Sequence, residues 1–338
     1  MKALVTGGGG FLGRAIVEQL IARGDSVRVL GRHRYPEVEA LGAEGVVADL
    51  ASGQGLDAAL QGVDVVFHVA SLAGMWGRRE DYVRTNIDGT LALLDATKRA
   101  GIGRFVYTSS PSVTFQGHDE HNVSEAQARF PERFLFWYPE TKAAAEQAVL
   151  AANGPGLATT SLRPHLIYGP RDPHLLPRLI RRQLAGRLRV IGDGQNQVAL
   201  TYVDNGAAAH LAAADALAPG SANAGRPYFI TDGPPVRVWD WLNDVFTRVG
   251  VGPVRGRVPR GVAMAGAGVA EWVWRTFSLA GEPPITRFTV AQIATSHWYD
   301  ISAARADFGY APPVAPADAV DRTVAALVER LASGELRG

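Results

Sequence analysis

The chain of 338 residues exceeds a single average domain, and its 47% hydrophobic and 20% charged residues are typical of a globular protein with a sizeable core. Its 34 basic and 33 acidic residues leave a formal net charge of +1, which argues against nucleic acids and anionic membranes as partners. The absence of cysteine excludes disulfides, thiolate metal ligands and a cysteine nucleophile. We see no His, Asp and Glu at metal-ligand spacing, so we expect no metal site.

The sequence shows no segment typical of secretion or membrane insertion. A strand-like pattern begins directly after Met1, and no apolar run reaches the roughly 18 to 20 residues that a membrane span needs. The nearest candidate, residues 261–280, contains Glu271 and Arg275. We therefore expect a cytoplasmic protein without a transmembrane segment.

The first half of the chain alternates short β-branched segments with helical patterns, an order typical of a parallel sheet covered by helices. Strands are predicted at residues 2–6, 26–30, 45–48, 63–69, 104–109 and 159–162. Helices are predicted at residues 11–23, 81–100 and 140–152.

Glycines occupy positions 7, 10 and 13, between the first strand and the helix that begins with Phe11 and Leu12. Gly7 permits a tight turn, Gly10 lets the backbone approach a pyrophosphate, and Gly13 allows close packing of helix and strand. The free amides and positive dipole of the helix then face the phosphates. This context predicts a dinucleotide-binding turn; a merely flexible glycine-rich loop is the alternative.

The residue that ends the second strand indicates which dinucleotide binds. An NAD site has Asp or Glu there, which accepts hydrogen bonds from the ribose 2′-hydroxyl. Here Arg32 and Arg34 follow the strand, and the planar fork of Arg32 suits a 2′-phosphate. We predict NADP(H) as the cofactor; the alternative is that both arginines are solvated loop cations.

These patterns predict an α/β protein with a Rossmann-type doubly wound parallel sheet and a smaller, loop-rich C-terminal portion that binds substrate. We expect residues 1–168 to form the dinucleotide-binding domain, with residues 197–232 and the last helix returning to it. Prolines interrupt the pattern after residue 169. Residues 169–196 and 233–312 are the expected substrate-binding lid.

Tyr138 and Lys142 lie four residues apart, so they share one face of a predicted helix. Pro139 is tolerated only in a first turn, which supports a helix start here. A phenol has a pKa of about 10, and an adjacent ammonium favours the phenolate. We interpret the pair as proton-transfer machinery, with Lys142 also able to bind the nicotinamide ribose. A surface helix with an interfacial tyrosine is the alternative.

Ser109 and Ser110 follow the fifth strand at the carboxyl edge, where open α/β sheets bind ligands. A serine there can donate a hydrogen bond to a substrate carbonyl and stabilise its developing negative charge. Spacing alone does not choose between the two. Asn86 is a candidate to support Lys142 through its backbone or a water; an ordinary polar helix residue is the competing interpretation.

The glycine turn, Asn86, Ser110 and the Tyr138/Lys142 pair occur in family order, and the whole chain resembles the extended short-chain dehydrogenase/reductases. The resemblance implies that Ser110 is the catalytic serine. It also implies cofactor contacts at the carboxyl ends of later strands, with adenine near the first of them and nicotinamide near the last: Asp49, Leu50, Ala70, Ser71, Pro164 and His165.

Within that family, residues 107–113 and 163–174 resemble the 3β-hydroxysteroid dehydrogenase branch and, in it, bacterial reductases of long-chain olefin biosynthesis. The resemblance implies NADPH-dependent reduction of the 3-keto group of a long-chain 2-alkyl-3-ketoacid, with Tyr138 protonating the oxygen. It also suggests a homodimer and association with other enzymes of the olefin pathway, although no residue pattern identifies either.

Three residues are candidate substrate contacts. His165 lies near the expected nicotinamide, and Arg171 is a partner for a substrate carboxylate unless it is a solvated loop residue. Trp272 belongs to the apolar segment 261–281. This segment lines an alkyl-binding cleft, packs as a lid helix, or contacts a membrane or partner enzyme; the sequence leaves the three interpretations open.

Rival functions fit the same fold. Another 3β-hydroxysteroid dehydrogenase-like ketone reductase is the nearest. A nucleotide-sugar epimerase or dehydratase typically has an Arg-Asp pair ahead of the segment Tyr202–Asp204, where this chain has Val198 and Ala199. A non-enzymatic NADP sensor needs only the glycine turn and Arg32, so the intact Tyr138 argues against it.

Overall fold

The centre of the molecule is a seven-stranded parallel sheet, seen in a computed structural model that describes residues 1–336. The strands are β1 (Lys2–Thr6), β2 (Ser26–Gly31), β3 (Glu44–Val47), β4 (Val65–His68), β5 (Arg104–Thr108), β6 (Glu120–Val123), β7 (Ala158–Pro164), β8 (Ile167–Tyr168), β9 (Val190–Ile191), β10 (Gln197–Val198), β11 (Thr201–Tyr202), β12 (Arg226–Ile230), β13 (Val236–Arg237), β14 (Arg257–Val258) and β15 (His297–Tyr299).

Helices cover both faces of this sheet and its ligand end. They are α1 (Phe11–Ala22), α2 (Pro36–Glu39), α3 (Leu56–Ala59), α4 (Arg79–Tyr82), α5 (Gly89–Arg99), α6 (Trp137–Ala151), α7 (Leu175–Leu184), α8 (Val203–Ala216), α9 (Val238–Val249), α10 (Arg260–Thr276), α11 (Arg287–Ala294), α12 (Ser302–Phe308) and α13 (Pro316–Ala332). A π-helical stretch spans Val83–Asp88 and a 3-10 turn spans Pro111–Val113.

The strand order of the central sheet is β12-β7-β5-β4-β1-β2-β3. Because the order changes direction between β1 and β4, the chain leaves these two strands towards opposite sides and opens a crevice at their carboxyl ends. This arrangement confirms the predicted Rossmann-type doubly wound sheet. It also places the candidate site residues, which follow successive strands, at one edge.

Burial on both faces explains the continuous apolar character of the central strands. In β1, Ala3 and Val5 pack into the core that contains α1 and α8, whereas Leu4 packs into the core that contains α5 and α6. Side chains alternate across a strand, so adjacent residues of β1 hold opposite helix layers to the same sheet.

All six predicted strands of the sheet are present, with bounds that differ by two residues or fewer. Helix α6 begins at Trp137 rather than at residue 140, because the extended Phe136 (φ −158°, ψ 167°) ends the preceding loop there. The predicted helix 81–100 is divided by the π-helical stretch into α4 and α5. The seventh strand, β12, was not predicted.

The C-terminal part of the chain adds short strands and helices beside the ligand end. A second sheet has the order β13-β10-β15-β6. The last long helix, α13, packs against α9. Within residues 1–336, no helix combines the length and apolarity required for a membrane crossing.

Candidate active site

A cavity of about 790 Å³ opens at the carboxyl edge of the central sheet. Its walls come from the turns after β1, β2, β3, β4, β5 and β7, and from the start of α7. The predicted site residues that line it are Gly7, Gly10, Phe11, Leu12, Gly13, Arg32, Asp49, Leu50, Ala70, Ser71, Ser110, Tyr138 and Pro164. One cavity therefore holds both the predicted dinucleotide turn and the predicted catalytic phenol.

The glycine turn tolerates no side chain at its two ends. Gly7 has φ +68°, and a Cβ there would lie 2.9 Å from the backbone of Ala70. A Cβ on Gly13 would lie 2.1 Å from the Gly7 carbonyl oxygen. Gly10 donates its amide to that same carbonyl at 2.9 Å. The start of α1 is thus held directly against the end of β1, which exposes its amides to the cavity.

A hydrogen-bond network fixes the ends of β1 and β4 together. The Thr6 hydroxyl accepts hydrogen bonds from the backbone amides of Val69 and Ala70, both at 3.1 Å. It also contacts His68 Nδ1 at 2.8 Å, and His68 Nε2 contacts the Thr90 hydroxyl at 2.9 Å. Burial lowers the pKa of His68 to about 3, with the Lys142 charge adding to the effect. His68 is therefore a neutral structural residue.

The cation predicted to bind a 2′-phosphate lies in the cavity wall. Arg32 is exposed, and it forms no salt bridge with any acid in residues 1–336. Arg34 differs, because it pairs with Glu39 at 2.6 Å. Asp49 accepts the Ala51 amide at 3.1 Å beside the same wall.

Helix α6 carries both residues of the predicted proton-transfer pair. Tyr138 lines the cavity, whereas Lys142, one turn later, is buried. Lys142 Nζ donates to the Thr108 carbonyl at 2.5 Å and lies 4.0 Å from the centre of the Tyr107 ring. Burial lowers the pKa of Lys142 to about 7, although the Glu146 carboxylate opposes this.

The pKa of Tyr138 differs from the predicted direction. Burial raises it to about 12, and the Ser110 hydroxyl is the group that opposes the rise. Lys142 does not lower it, because the lysine amine is directed at the carbonyl that ends β5. At neutral pH the phenol therefore keeps its proton, the form that an acid catalyst requires.

Both candidate serines line the cavity, but their hydroxyl groups have different environments. Ser110 lines the cavity and accepts hydrogen bonds from the Ser112 amide at 3.2 Å and the Ser112 hydroxyl at 2.9 Å. Its own hydroxyl proton is not used by Ser112, so it can be donated to the Tyr138 phenol or to a ligand oxygen. The Ser109 hydroxyl is buried and has no hydrogen-bond partner within residues 1–336.

Asn86 connects two walls of the site instead of contacting Lys142. Its side-chain oxygen accepts the Leu72 amide at 2.7 Å. Its nitrogen donates to the Leu72 carbonyl at 3.2 Å and to the Thr141 hydroxyl at 3.0 Å. Asn86 thus ties the loop after β4 to the helix that carries Tyr138, which is a positioning role.

The three candidate substrate contacts do not line the cavity. His165 is buried, with Nδ1 at 2.6 Å from the Ala199 carbonyl and its ring edge-on to His297. Arg171 forms two hydrogen bonds to Glu18, at 2.7 and 2.9 Å. Trp272 is 62% exposed on the outer face of α10.

Several cavity residues were missed by sequence reasoning. The Tyr35 ring covers the glycine turn, since a Cβ on Gly9 would lie 2.1 Å from it. Arg84 lines the wall from the π-helical stretch, and Leu175 lines it from the start of α7. No sequence signal marks these positions, because each depends on how a loop folds back. Asp172 also lines the cavity, and its carboxylate accepts backbone amides at the start of α7.

The residues present fit a dinucleotide. Gly7 and Gly13 form a cradle in which a Cβ would clash with the backbone, and the amides of α1 begin at the cavity. When bound there, a reduced nicotinamide would supply hydride. This chain would supply a protonated phenol from Tyr138 and a hydroxyl from Ser110, the two groups that a carbonyl oxygen needs as it gains negative charge.

The fold and the site define the class as a nicotinamide-dependent oxidoreductase of the extended short-chain dehydrogenase/reductase type. The chain belongs to the 3-beta hydroxysteroid dehydrogenase/isomerase family, whose model matches residues 4–257. The family predicted from the sequence is thereby confirmed.

Curated relatives cover nearly the whole chain. A 2-alkyl-3-oxoalkanoate reductase of Stenotrophomonas maltophilia is 45% identical, over 93% of this chain and 96% of the relative. One of Shewanella oneidensis is 43% identical, over 96% of this chain and 86% of the relative. A decarboxylating sterol-4-alpha-carboxylate 3-dehydrogenase of Mus musculus is 35% identical, over 96% of this chain and 90% of the relative.

Solved structures share the fold. MoeE5 in complex with UDP-glucose and NAD superposes with a TM-score of 0.74 at 25% identity, over 98% of this chain and all of that one. A nicotinamide cofactor is thus supported for this fold, and the relatives support an oxidoreductase that acts on ketones.

Proposed function

We propose that the protein reduces the 3-keto group of a long-chain 2-alkyl-3-oxoalkanoic acid to a 3-hydroxyl, with NADPH as the reductant. The observation that carries this proposal is that Ser110 and Tyr138 line the same cavity as the glycine turn and Arg32. A carbonyl held between the serine and the tyrosine is then at the nicotinamide end of a dinucleotide site.

The names of the relatives indicate a shared substrate chemistry. A 2-alkyl-3-oxoalkanoate carries its carboxylate two carbons from the ketone carbon. A sterol-4-alpha-carboxylate acted on at position 3 has the same spacing between its carboxylate and the reacting carbon. We therefore propose a β-ketoacid as the substrate class.

The reaction balances when the hydride is supplied by a bound NADPH and the proton by the cavity. One hydride adds to the C3 carbonyl carbon, and the C=O bond becomes a C–O bond with negative charge on oxygen. Ser110 stabilises that charge through its hydroxyl proton. Tyr138, whose pKa is raised to about 12 by burial, transfers its phenolic proton to the oxygen and leaves a 3-hydroxyacid.

An apolar wall beside Tyr138 is consistent with a substrate that has long alkyl chains. Tyr82, Phe136 and Phe288 form a buried cluster, and Met75, Trp137 and Tyr138 pack against it. We propose that an alkyl chain runs along this cluster. Segment 261–281 is not needed for this role, since three of its large apolar side chains, Val262, Val269 and Trp272, are exposed on α10.

NADPH is favoured over NADH by the charge at the end of β2. Arg32 is unpaired within residues 1–336, and no acid follows β2 until Glu37. Glu37 is held by Arg14 at 2.7 Å. A 2′-phosphate would therefore meet a free guanidinium.

The rival function, an epimerase or dehydratase of sugar nucleotides, needs side chains that bind a diphosphate. Val198 and Ala199 occupy the position of the expected Arg-Asp pair, and both are 1% exposed. Neither can contact a diphosphate.

A homodimer and association with olefin-pathway enzymes remain predictions, to be tested by light scattering of the purified chain and by co-purification.

The direct test is oxidation of NADPH, followed at 340 nm, with a freshly prepared 2-alkyl-3-ketoacid. We expect turnover with the ketoacid, a lower rate with NADH, and no effect of UDP-glucose. Turnover of UDP-glucose without turnover of the ketoacid would replace this proposal with the epimerase alternative.

A further inference from the structure

Two arginines on one face of α7 form a half-buried cationic site beside the catalytic cavity. Leu175 lines the cavity, and residues three, four and seven positions later lie on the same side of a helix. Arg178 and Arg182 occupy two of these positions, and both are partly buried. The opposite face of α7 is anchored in the core by Leu176 and Ile180.

Only one of the two arginines pairs with an acid within residues 1–336. Arg178 contacts Glu282 at 3.1 Å, and the side chains remain 38% and 42% exposed. Arg182 has no acid within salt-bridge distance in residues 1–336. Burial lowers its pKa, and repulsion from Arg178 adds to this, while Glu282 opposes it. Two guanidinium groups and one carboxylate leave one positive charge in a partly desolvated place, which a second carboxylate would neutralise.

Arg178, Arg182 and Glu282 do not line the cavity themselves, but the salt bridge lies beside a loop that does. Glu282 sits 3.8 Å from the position of a Cβ on Gly74, and the preceding Ala73 lines the cavity. The same loop is held by Arg275, which lies 5.4 Å from the centre of the Trp76 ring. The Arg178–Glu282 contact therefore joins the helix that bears Leu175 to the loop that bears Ala73.

Two other arginines near the cavity, Arg171 and Arg84, already have acidic partners. Arg171, the predicted carboxylate ligand, forms its two hydrogen bonds with Glu18. Arg84 contacts Asp81 at 3.3 Å. Arg182 on α7, by contrast, has no salt bridge within residues 1–336.

We infer that Arg178 and Arg182 bind the carboxylate of the ketoacid, and that Glu282 is a built-in counter-ion that the substrate displaces. This inference rests on the proposed function and adds the group that recognises the acid end. Binding by two arginines would select a β-ketoacid over a neutral ketone, because the ketone leaves the excess positive charge without a partner.

The test compares a 2-alkyl-3-ketoacid with its methyl ester, which has the same alkyl chains and no charge. Arg182→Gln and Arg178→Gln should each raise KM for the acid by roughly 10- to 100-fold, the range for charged hydrogen bonds, with kcat changed less than about 3-fold. KM for the ester should stay unchanged. Arg182→Lys should recover part of the acid affinity, and Glu282→Gln should lower KM for the acid.

Arg181→Gln is the matched control, since Arg181 lies on the exposed side of α7 and contacts the Glu335 carbonyl at 3.3 Å. NADPH affinity and the thermal unfolding temperature show that each variant is folded. Equal KM changes for acid and ester, or no difference from Arg181→Gln, would overturn the carboxylate site while leaving the reductase intact. A wild-type protein that reduces neither compound would reject the proposed function, and this site with it.

Discussion

The cofactor side and the substrate side of the cavity are built differently. On the cofactor side, backbone packs on backbone: Gly7 and Gly13 meet at a distance that admits no Cβ, and buried hydroxyls hold the strand ends. On the substrate side, long side chains such as Arg178 and Glu282 meet across half-exposed surfaces. The backbone packing of the cofactor side allows a single conformation, whereas the side chains of the substrate side can exchange one ionic partner for another.

The two sides of the cavity therefore suit different kinds of ligand. A turn that depends on the absence of side chains suits a constant ligand such as a dinucleotide. Side chains that can exchange one carboxylate for another suit a ligand that enters and leaves in every cycle. Tyr138 and Ser110 lie where the two regions meet, so changes to them should affect chemistry more than binding.

The largest effect is expected from Tyr138→Phe. Loss of the acid that protonates the substrate oxygen should lower kcat by about 10³-fold or more, while NADPH affinity changes little, because the ring is retained. Steady-state rates and cofactor fluorescence titration measure the two quantities. Turnover at the wild-type rate would remove Tyr138 from the mechanism.

Ser110→Ala is expected to lower kcat by roughly 10²- to 10³-fold, since it removes one donor to the developing negative charge. Ser109→Ala is the matched control, because the Ser109 hydroxyl is buried away from any partner in residues 1–336. Equal losses in the two variants would show that both act through the structure of the loop after β5.

Arg32→Ala should weaken NADPH binding by roughly 10- to 100-fold and leave NADH binding nearly unchanged, since a charged hydrogen bond to the 2′-phosphate is lost. Arg34→Ala, which removes a cation already paired with Glu39, should affect both cofactors little. Calorimetry measures the binding constants of NADPH and NADH for each of the two variants. A similar loss for both cofactors would place Arg32 outside the 2′-phosphate site.

The smallest effect concerns the pH dependence of stability. Burial lowers the pKa of Lys142 from 10.5 to about 7, so between these values the unfolded chain binds more protons than the folded protein. The contribution of Lys142 to the free energy of unfolding therefore rises with pH from about 7 to 10.5.

Relative to Lys142→Met, the unfolding temperature of the wild type should increase between pH 7 and pH 10 by about 2 °C or more. Differential scanning calorimetry measures this difference. Lys98→Met, which removes an exposed lysine, should show no such trend. A parallel pH dependence of wild type and Lys142→Met would contradict a lowered lysine pKa.

Much of the fold could be predicted, because the strands of a doubly wound sheet are continuous apolar segments separated by helical patterns. That most of the predicted cofactor-binding residues line one cavity was also predictable, since residues after successive parallel strands meet at one edge. Strand β12 was missed because it pairs with β7 only after more than 60 intervening residues, and its sequence has no distinctive pattern.

The substrate side could not be predicted from spacing. Whether Arg171 is free depends on Glu18, which is 153 positions away in the sequence. Tyr35 covers the glycine turn only through the course of the loop after β2. The expectation that Lys142 lowers the pKa of Tyr138 was wrong, because helix spacing places two side chains on one face without fixing where a long one points.

A crystal structure of the protein with NADP⁺ and the 3-hydroxyacid product would show directly whether Tyr138 and Ser110 contact the reacting oxygen. We predict the 2′-phosphate at Arg32, the nicotinamide beside Pro164, and the substrate hydroxyl between Ser110 and the Tyr138 phenol. A Tyr138 hydroxyl directed away from the substrate oxygen, with the nicotinamide bound elsewhere, would contradict the account.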